Sequence, residues 1–316
     1  ARQSPGGDLA GWRRRHGEFL AGARAVLAPS RDTAVRYARM WPGLPLQVAP
    51  HTDIPSIDAL PVPSVAALRP DAPLRVAILG GLSRIKGADV LEAVAELAAR
   101  QGARVEFHLL GHAYRSLHTQ PRAALTVHGA YEEADLPRLL EWLHPDLVWF
   151  PAQWPETYSY TLSACLQAGL PVVAPDLGAF SERLAGRPWS WLRPWNETPA
   201  STLDWLVHVR EAHFLTGTGP VPPKPAVDPI GAAIPTWMHD RQYLAGVPTL
   251  AHTPMSAAWL AIDRPIRVPG IDVPANPAKR VALATLGRLR RSPALGWLSR
   301  LLPAQVQRRV KDWLLA

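Results

Sequence analysis

The sequence predicts an α/β fold: a Rossmann-like parallel sheet with helices on both faces, followed by a proline-rich region and a basic helical tail. Three observations predict it. From Leu74 onward, strand-length apolar runs alternate with helix-length segments. Several of those runs, Val76 to Leu79 and Val172 to Ala174 among them, are unbroken instead of alternating, as expected of strands buried on both faces. Glycine-bearing turns follow several of them, at the strand ends where open α/β sheets bind ligands.

Before that sheet, residues 8–40 read as helix, strand, helix. Leu9 to Leu20 is amphipathic, Ala25 to Ala28 is a short apolar run, and Ser30 can cap a helix from Asp32 to Met40. Pro42, Pro45 and Pro50 then interrupt the chain, so Trp41 to Pro73 reads as a hinge or linker, with residues 51–73 the linker proper. His51 stands in this stretch, where a packing role and a ligand role are both open.

The sheet itself starts with Leu74 to Leu79, a strand apolar except for Arg75, followed by Gly80-Gly81 as a turn and Ala88 to Ala99 as a periodic helix. Val105 to Leu110 is a strand ending at Gly111, Leu125 to His128 a short strand, Leu136 to Leu143 a helix, and Asp146 to Phe150 a strand. Trp154 to Arg183 then reads as loop, helix, the buried strand Val172-Val173-Ala174, and a turn at Gly178. After Glu211 periodicity fades. Thr216 to Pro225 (TGTGPVPPKP) is linker by composition, and Trp237 to Leu244 suggests one or two helical turns. The predicted organisation is therefore an N-terminal piece (1–50), a linker (51–73), a Rossmann-like domain (74–211), a proline-rich region (212–276) and a basic tail (277–316).

Composition narrows the function classes. An apolar fraction of 47% over 316 residues supports a substantial core. No apolar run reaches the roughly 20 residues that span a bilayer. One cysteine, Cys165, rules out an internal disulfide and fits a reducing, cytoplasmic setting. The sequence starts at Ala1 without a signal-peptide pattern, and the expectation is that it continues a longer protein. Between Pro277 and Ala316 lie nine basic residues and one acid, which accounts for the whole net charge of +8. A body with no net charge argues against a nucleic-acid partner.

Three stretches could carry chemistry. Gly80, Gly81, Arg84 and Lys86 lie between a strand and a helix, where backbone N–H groups and a mobile cation suit a phosphate; a surface lysine at a helix start is the plain alternative. Glu156 stands at the mouth of the next helix, able to accept from sugar hydroxyls or to interact with the helix terminus. Gly178 to Glu182 could offer N–H groups to a ligand, or Glu182 could form a surface ion pair with Arg183.

The order of these motifs is specific: PH-x-D, then a strand followed by GG-x-x-x-x-KG, a strand ending LLG, HGAY, PDLVWFPA-x-WPETYSYTLS, AGLPVVA and DLGAFSERL. It resembles the C-terminal, nucleotide-sugar-binding half of glycosyltransferase family 4, over about residues 21–195. The resemblance implies the GT-B architecture, two Rossmann-like domains facing across a cleft, with residues 1–50 as the end of the first. It implies that Lys86 contacts the donor diphosphate, with Arg84 standing in for an arginine that many members carry at the position of Gly81. It implies that Glu156 touches the donor sugar, and that the backbone of Tyr158, Ser159, Tyr160 and Thr161 approaches the phosphates. The family's second acid, which holds the ribose, falls on Ala164, with Gln167 or a water as substitute.

The activity implied by the resemblance is sugar transfer from a nucleotide-sugar donor to a glycan or lipid-linked acceptor, retaining and without a required metal or cofactor, in surface polysaccharide synthesis. Catalytic residues are not assigned, because the acceptor side belongs to the N-terminal domain. The alternative is a degenerate, non-catalytic nucleotide-binding or assembly module. Leucines and tryptophans interleave with the arginines of the tail, which suits an anionic membrane surface on its inner face, with a solvated basic face as the other reading.

Overall fold

The computed structural model describes residues 8–51, 54, 60–224, 228–237 and 285. All of these except Thr285 belong to one compact unit. The basic tail, the proline-rich stretch beyond Trp237 and the helical turns expected over 238–244 lie outside the described residues.

The chain begins with α1 (Leu9–Ala21), β1 (Val26–Ala28), α2 (Arg31–Met40) and β2 (Leu46–Val48). Ser30 caps α2 as its sequence suggested, its hydroxyl accepting from Thr33 N–H. The reading of 41–73 as linker needs correction at β2, which pairs in parallel with β1 through Val26↔Leu46 and Ala28↔Val48. The prolines on either side punctuate this strand without abolishing it. A short helix, α8 (Pro229–Ala233), returns to the same module: Thr236 bridges Val48, and Ile234 packs on Ala28, Ala34 and Val48.

The main sheet contains β3 (Leu74–Leu82), β4 (Val105–Ala113), β5 (Leu125–Gly129), β6 (Leu147–Trp149), β7 (Val172–Pro175) and β8 (Ser190–Arg193). All six are parallel, in the spatial order β5-β4-β3-β6-β7-β8. That is the doubly wound arrangement, and its reversal point falls between β3 and β6. The connecting helices are α3 (Ala88–Gln101), α4 (Leu136–Leu143), α5 (Tyr160–Gln167), α6 (Ala179–Leu184) and α7 (Pro199–Val209).

Helices cover both faces. On one, Leu91, Val94 and Ala98 of α3 and Leu203 and Leu206 of α7 meet Val76, Ile78 and Phe107. On the other, Leu140 of α4, Leu162 and Leu166 of α5 and Phe180 of α6 meet Ala77, Val148 and Val172. Each fully buried Leu or Phe contributes about 1.5 to 3 kcal/mol, which makes this double core the main stabilising term.

Two further corrections concern the sheet. Gly80-Gly81 is not a turn: β3 continues to Leu82, with Gly80 and Gly81 paired to Gly111 and His112. Backbone pairing needs no side chains, and the neighbouring strand extends equally far. The sequence reading also left out β8 and α7, although Thr198 accepts from Ser201 N–H as a helix cap and Pro199 follows it. The linker is held to the body. The guanidinium of Arg210, only 5% exposed, donates to the carbonyls of Pro70 and Ala72, which satisfies a buried charge.

Candidate functional site

The site is built at the carboxyl end of the sheet, around the reversal point. Beyond β3 the chain turns through Ser83 to Gly87, with Lys86 N–H donating back to Ser83. Gly87 has φ +86°, and a Cβ there would overlap the carbonyl oxygen of Pro151. Only glycine lets this loop close on the segment after β6, where Gln153 N–H also donates to the Ile85 carbonyl at 2.8 Å. The closure brings Lys86 Nζ to 3.5 Å from Glu156 Oε1, with the lysine half exposed and the glutamate mostly covered.

Glu156 is held from beneath. Gly178, at φ +67°, packs so closely that a Cβ would lie 2.6 Å from the Glu156 carbonyl oxygen, and Ala179 N–H donates to that oxygen at 2.8 Å. The turn expected to offer N–H groups to a ligand therefore supports the Glu156 backbone. Next along the chain, Ser159 adopts φ +74°, a strained conformation for a residue with a side chain. Its hydroxyl caps α5 by accepting from Leu162 N–H. The N–H groups of the first turn of α5 end beside Gly80, whose Cα faces the Thr161 methyl.

Arg183 is the residue that sequence reasoning missed. Its Nη1 donates to the carbonyls of Tyr158 and Ser159 at 2.9 and 2.8 Å, its Nη2 donates to Ser163 Oγ at 2.8 Å, and its guanidinium lies 4.0 Å from the centre of the Tyr158 ring. It fixes the strained entry to α5 through backbone carbonyls, and such a role leaves no spacing signature.

An open cleft of about 430 Å³ adjoins these elements. Its walls include Gly80, Gly81, Tyr160 and Thr161 from the expected site, together with His112, Tyr131, Glu133, Ala164 and Gln167. Ala164 therefore presents a methyl group to the cleft. Burial raises the Tyr131 phenol above its ordinary value, so it remains a neutral hydrogen-bonding group. Lys86 and Glu156 are not among the cleft's lining residues and stand at the same strand ends.

The remaining expected site residues are placed elsewhere. Arg84 is largely exposed and faces Asp89 at 3.6 Å. Tyr158 is buried, packing against His51, Tyr160 and Arg183 while its hydroxyl donates to the His51 carbonyl. Glu182 accepts from Arg31 N–H with both oxygens, at 3.0 and 2.9 Å, and so caps α2 from the main domain. Its carboxyl is shifted up, first by burial, with the N–H groups of Arg31 and Asp32 opposing. Cys165 is buried, and desolvation pushes its thiol up to about 12, consistent with packing.

Of the histidines on β4 and β5, His112 lines the cleft, whereas His108 and His128 hydrogen-bond to each other at 3.1 Å beside Trp142. Among the described residues, Glu92, Glu96 and His118 have a spacing that could suit a metal ion. Both Glu92 oxygens are already engaged, one by Arg115 and the other by His118 N–H. The group is therefore explained as an ion-pair network.

No family model and no curated protein matches the chain. Solved structures are similar at the level of fold. Anabaena Alr3699/HepE in complex with UDP and glucose matches with a TM-score of 0.50 and 18% identity, over 68% of this chain and 61% of that one. Sucrose-phosphate synthase from Thermosynechococcus elongatus matches with a TM-score of 0.48 and 17% identity, over 67% and 55%. The lipopolysaccharide outer core galactosyltransferase WaaB matches with a TM-score of 0.42 and 17% identity, over 62% and 54%. The chain thus spans about three fifths of the length of HepE. The shared property is a Rossmann-like α/β fold of the kind found in GT-B glycosyltransferases.

Proposed function

We propose that this chain carries the donor-binding half of a GT-B glycosyltransferase and binds a nucleoside-diphosphate sugar at the carboxyl end of its sheet. The observation that carries the proposal is the approach of Lys86 to Glu156 across the reversal point, 3.5 Å apart beside the start of α5. Without donor, each offsets the other's charge. A sugar diphosphate inserted between them gives Lys86 and the α5 N–H groups two phosphates, and gives Glu156 sugar hydroxyls. Stabilising charge on a departing diphosphate in this way is electrostatic preorganisation. The nucleoside takes the 430 Å³ cleft beyond Tyr160. The UDP and glucose bound by HepE support this reading.

In the fuller form of the proposal, residues 1–50 end a first Rossmann-like domain that supplies the acceptor side. Transfer is retaining and metal-independent, onto a glycan or lipid-linked acceptor, in surface polysaccharide synthesis. The basic tail rests on an anionic membrane surface. Among the described residues no helix is long and apolar enough to cross a membrane.

A second reading has one observation in its favour: the methyl of Ala164 in the cleft wall removes a carboxylate acceptor. On that reading the chain is a non-catalytic nucleotide-binding or assembly module. Titration calorimetry with a panel of UDP- and GDP-sugars tests the main proposal. At least one binds if it is right, and none binds if it is wrong.

A further inference from the structure

The five tryptophans between β6 and α8 fall into two groups. Trp191 packs on Trp189 and Trp205, and both Trp189 and Trp191 pack on His213 and Phe214, with ring centres 5.4 to 6.4 Å apart. Trp154 and Trp195 are 52% and 47% exposed, and neither makes a ring contact with any other described residue. Two half-exposed indoles thus stand on adjoining loops, each leaving apolar area that a ligand can cover.

The loops that carry them are joined by one side chain. Gln153 Nε2 donates to the Trp195 carbonyl at 2.8 Å and to the Pro151 carbonyl at 3.2 Å. Both amide hydrogens are thereby engaged, while its Oε1 accepts from no described residue. A shallow hollow alongside is lined by Gln153, Trp195 and the Arg193–Glu197 ion pair.

We propose that Trp154 and Trp195 form a stacking platform for a glycan, with Gln153 Oε1 as its polar anchor. A pyranose ring has flat C–H faces rimmed by hydroxyls. Indole faces take the former, and an amide carbonyl takes the latter. Protein interfaces are also enriched in Trp and Arg, so what favours a glycan is the open amide acceptor beside the rings, a group that sugar hydroxyls satisfy. The placement also matches the chemistry. Gln153 N–H is bonded to Ile85, the neighbour of Lys86, and Trp154 precedes Glu156 by one proline, so the platform adjoins the sugar end of the donor site. The identification of the glycan as the distal part of an acceptor or growing product, its reactive end being held by the first domain, rests on the glycosyltransferase reading.

The test is fluorescence and calorimetric titration of the full 316-residue chain with maltohexaose, cellohexaose and chitohexaose, with UDP titrated in parallel. The platform predicts that at least one hexasaccharide binds and quenches tryptophan emission. Trp195→Ala and Trp154→Ala then each weaken it by about tenfold, and Trp195→Phe restores much of the loss, as expected for aromatic stacking. UDP affinity is unchanged in Trp195→Ala. Hexasaccharide binding without UDP binding upholds the platform and removes the nucleotide-sugar reading. Absence of binding by all three hexasaccharides, with or without UDP, or full affinity in both alanine variants, overturns the platform.

Discussion

The two ends of the candidate donor site are built differently. Around Lys86 and Glu156, every supporting element is pinned: Gly87 against Pro151, Gly178 against Glu156, and the strained Ser159 under Arg183. At the far end the cleft wall is mixed: Leu136, Pro137 and Ala164 present apolar surface, while His112, Tyr131, Glu133 and Gln167 supply polar groups. The contrast teaches that recognition of a charged diphosphate depends on rigid placement of a few groups, because charge-assisted contacts are lost over short displacements. On the proposed reading, a nucleoside held by shape in the cleft would tolerate the absence of a carboxylate at position 164.

The largest expected effect comes from breaking the pinned end. Gly87→Ala forces a Cβ into the Pro151 carbonyl at a positive φ, and should lower stability by about 3 kcal/mol or more, read as a shift in the urea midpoint. An unchanged midpoint would mean that the loop does not close on Pro151. Arg183→Ala should cost roughly 2 kcal/mol through carbonyls left without their charged donor, and should also weaken nucleotide binding as Ser159 relaxes. Loss of stability with intact nucleotide affinity would limit Arg183 to packing.

The cleft end is sharpened by adding a carboxylate at a second position, beside that of Glu133. Ala164→Glu places a carboxylate in the cleft wall and should tighten a ribonucleoside diphosphate by about tenfold, with a smaller gain for its 2′-deoxy analogue, as measured by calorimetry. Equal gains for both would indicate that position 164 does not face the ribose.

The smallest effect lies outside the cleft. Burial, followed by the charge of His108, holds the His128 imidazole below its ordinary 6.5. The folded state therefore takes up this proton less readily than the unfolded state. Stability from His128 is fully present above pH 6.5 and declines as pH falls through the lowered value. Melting temperatures between about pH 8 and pH 5, the range of histidine titration, should fall less in His128→Gln than in the parent. Parallel curves would assign the acid sensitivity to other groups.

Much of this architecture is legible in the sequence. Unbroken apolar runs such as Val76 to Leu79 and Val172 to Ala174 suit strands of a sheet covered on both faces. Strands defined by backbone partners are less visible. β2 sits among prolines, and the Gly80-Gly81 end of β3 is strand only because β4 extends beside it. Within the site, Lys86 and Glu156 stand out by their loop positions and the resemblance, and the fold brings them together. Glu182 and Arg183 read from sequence as a possible surface pair, whereas one caps α2 from a distant module and the other binds carbonyls, and neither partner is visible from spacing.

The central claim is that Lys86 and Glu156 grip opposite ends of one ligand. The measurement that tests it is calorimetry with the best-binding nucleotide sugar, and with its sugar-free diphosphate, in the parent chain, Lys86→Ala and Glu156→Gln. The account predicts that Lys86→Ala weakens both ligands by about tenfold or more, from a lost charged contact, whereas Glu156→Gln weakens only the sugar-bearing one. Unaltered affinities in both variants, with the parent binding well, would contradict it.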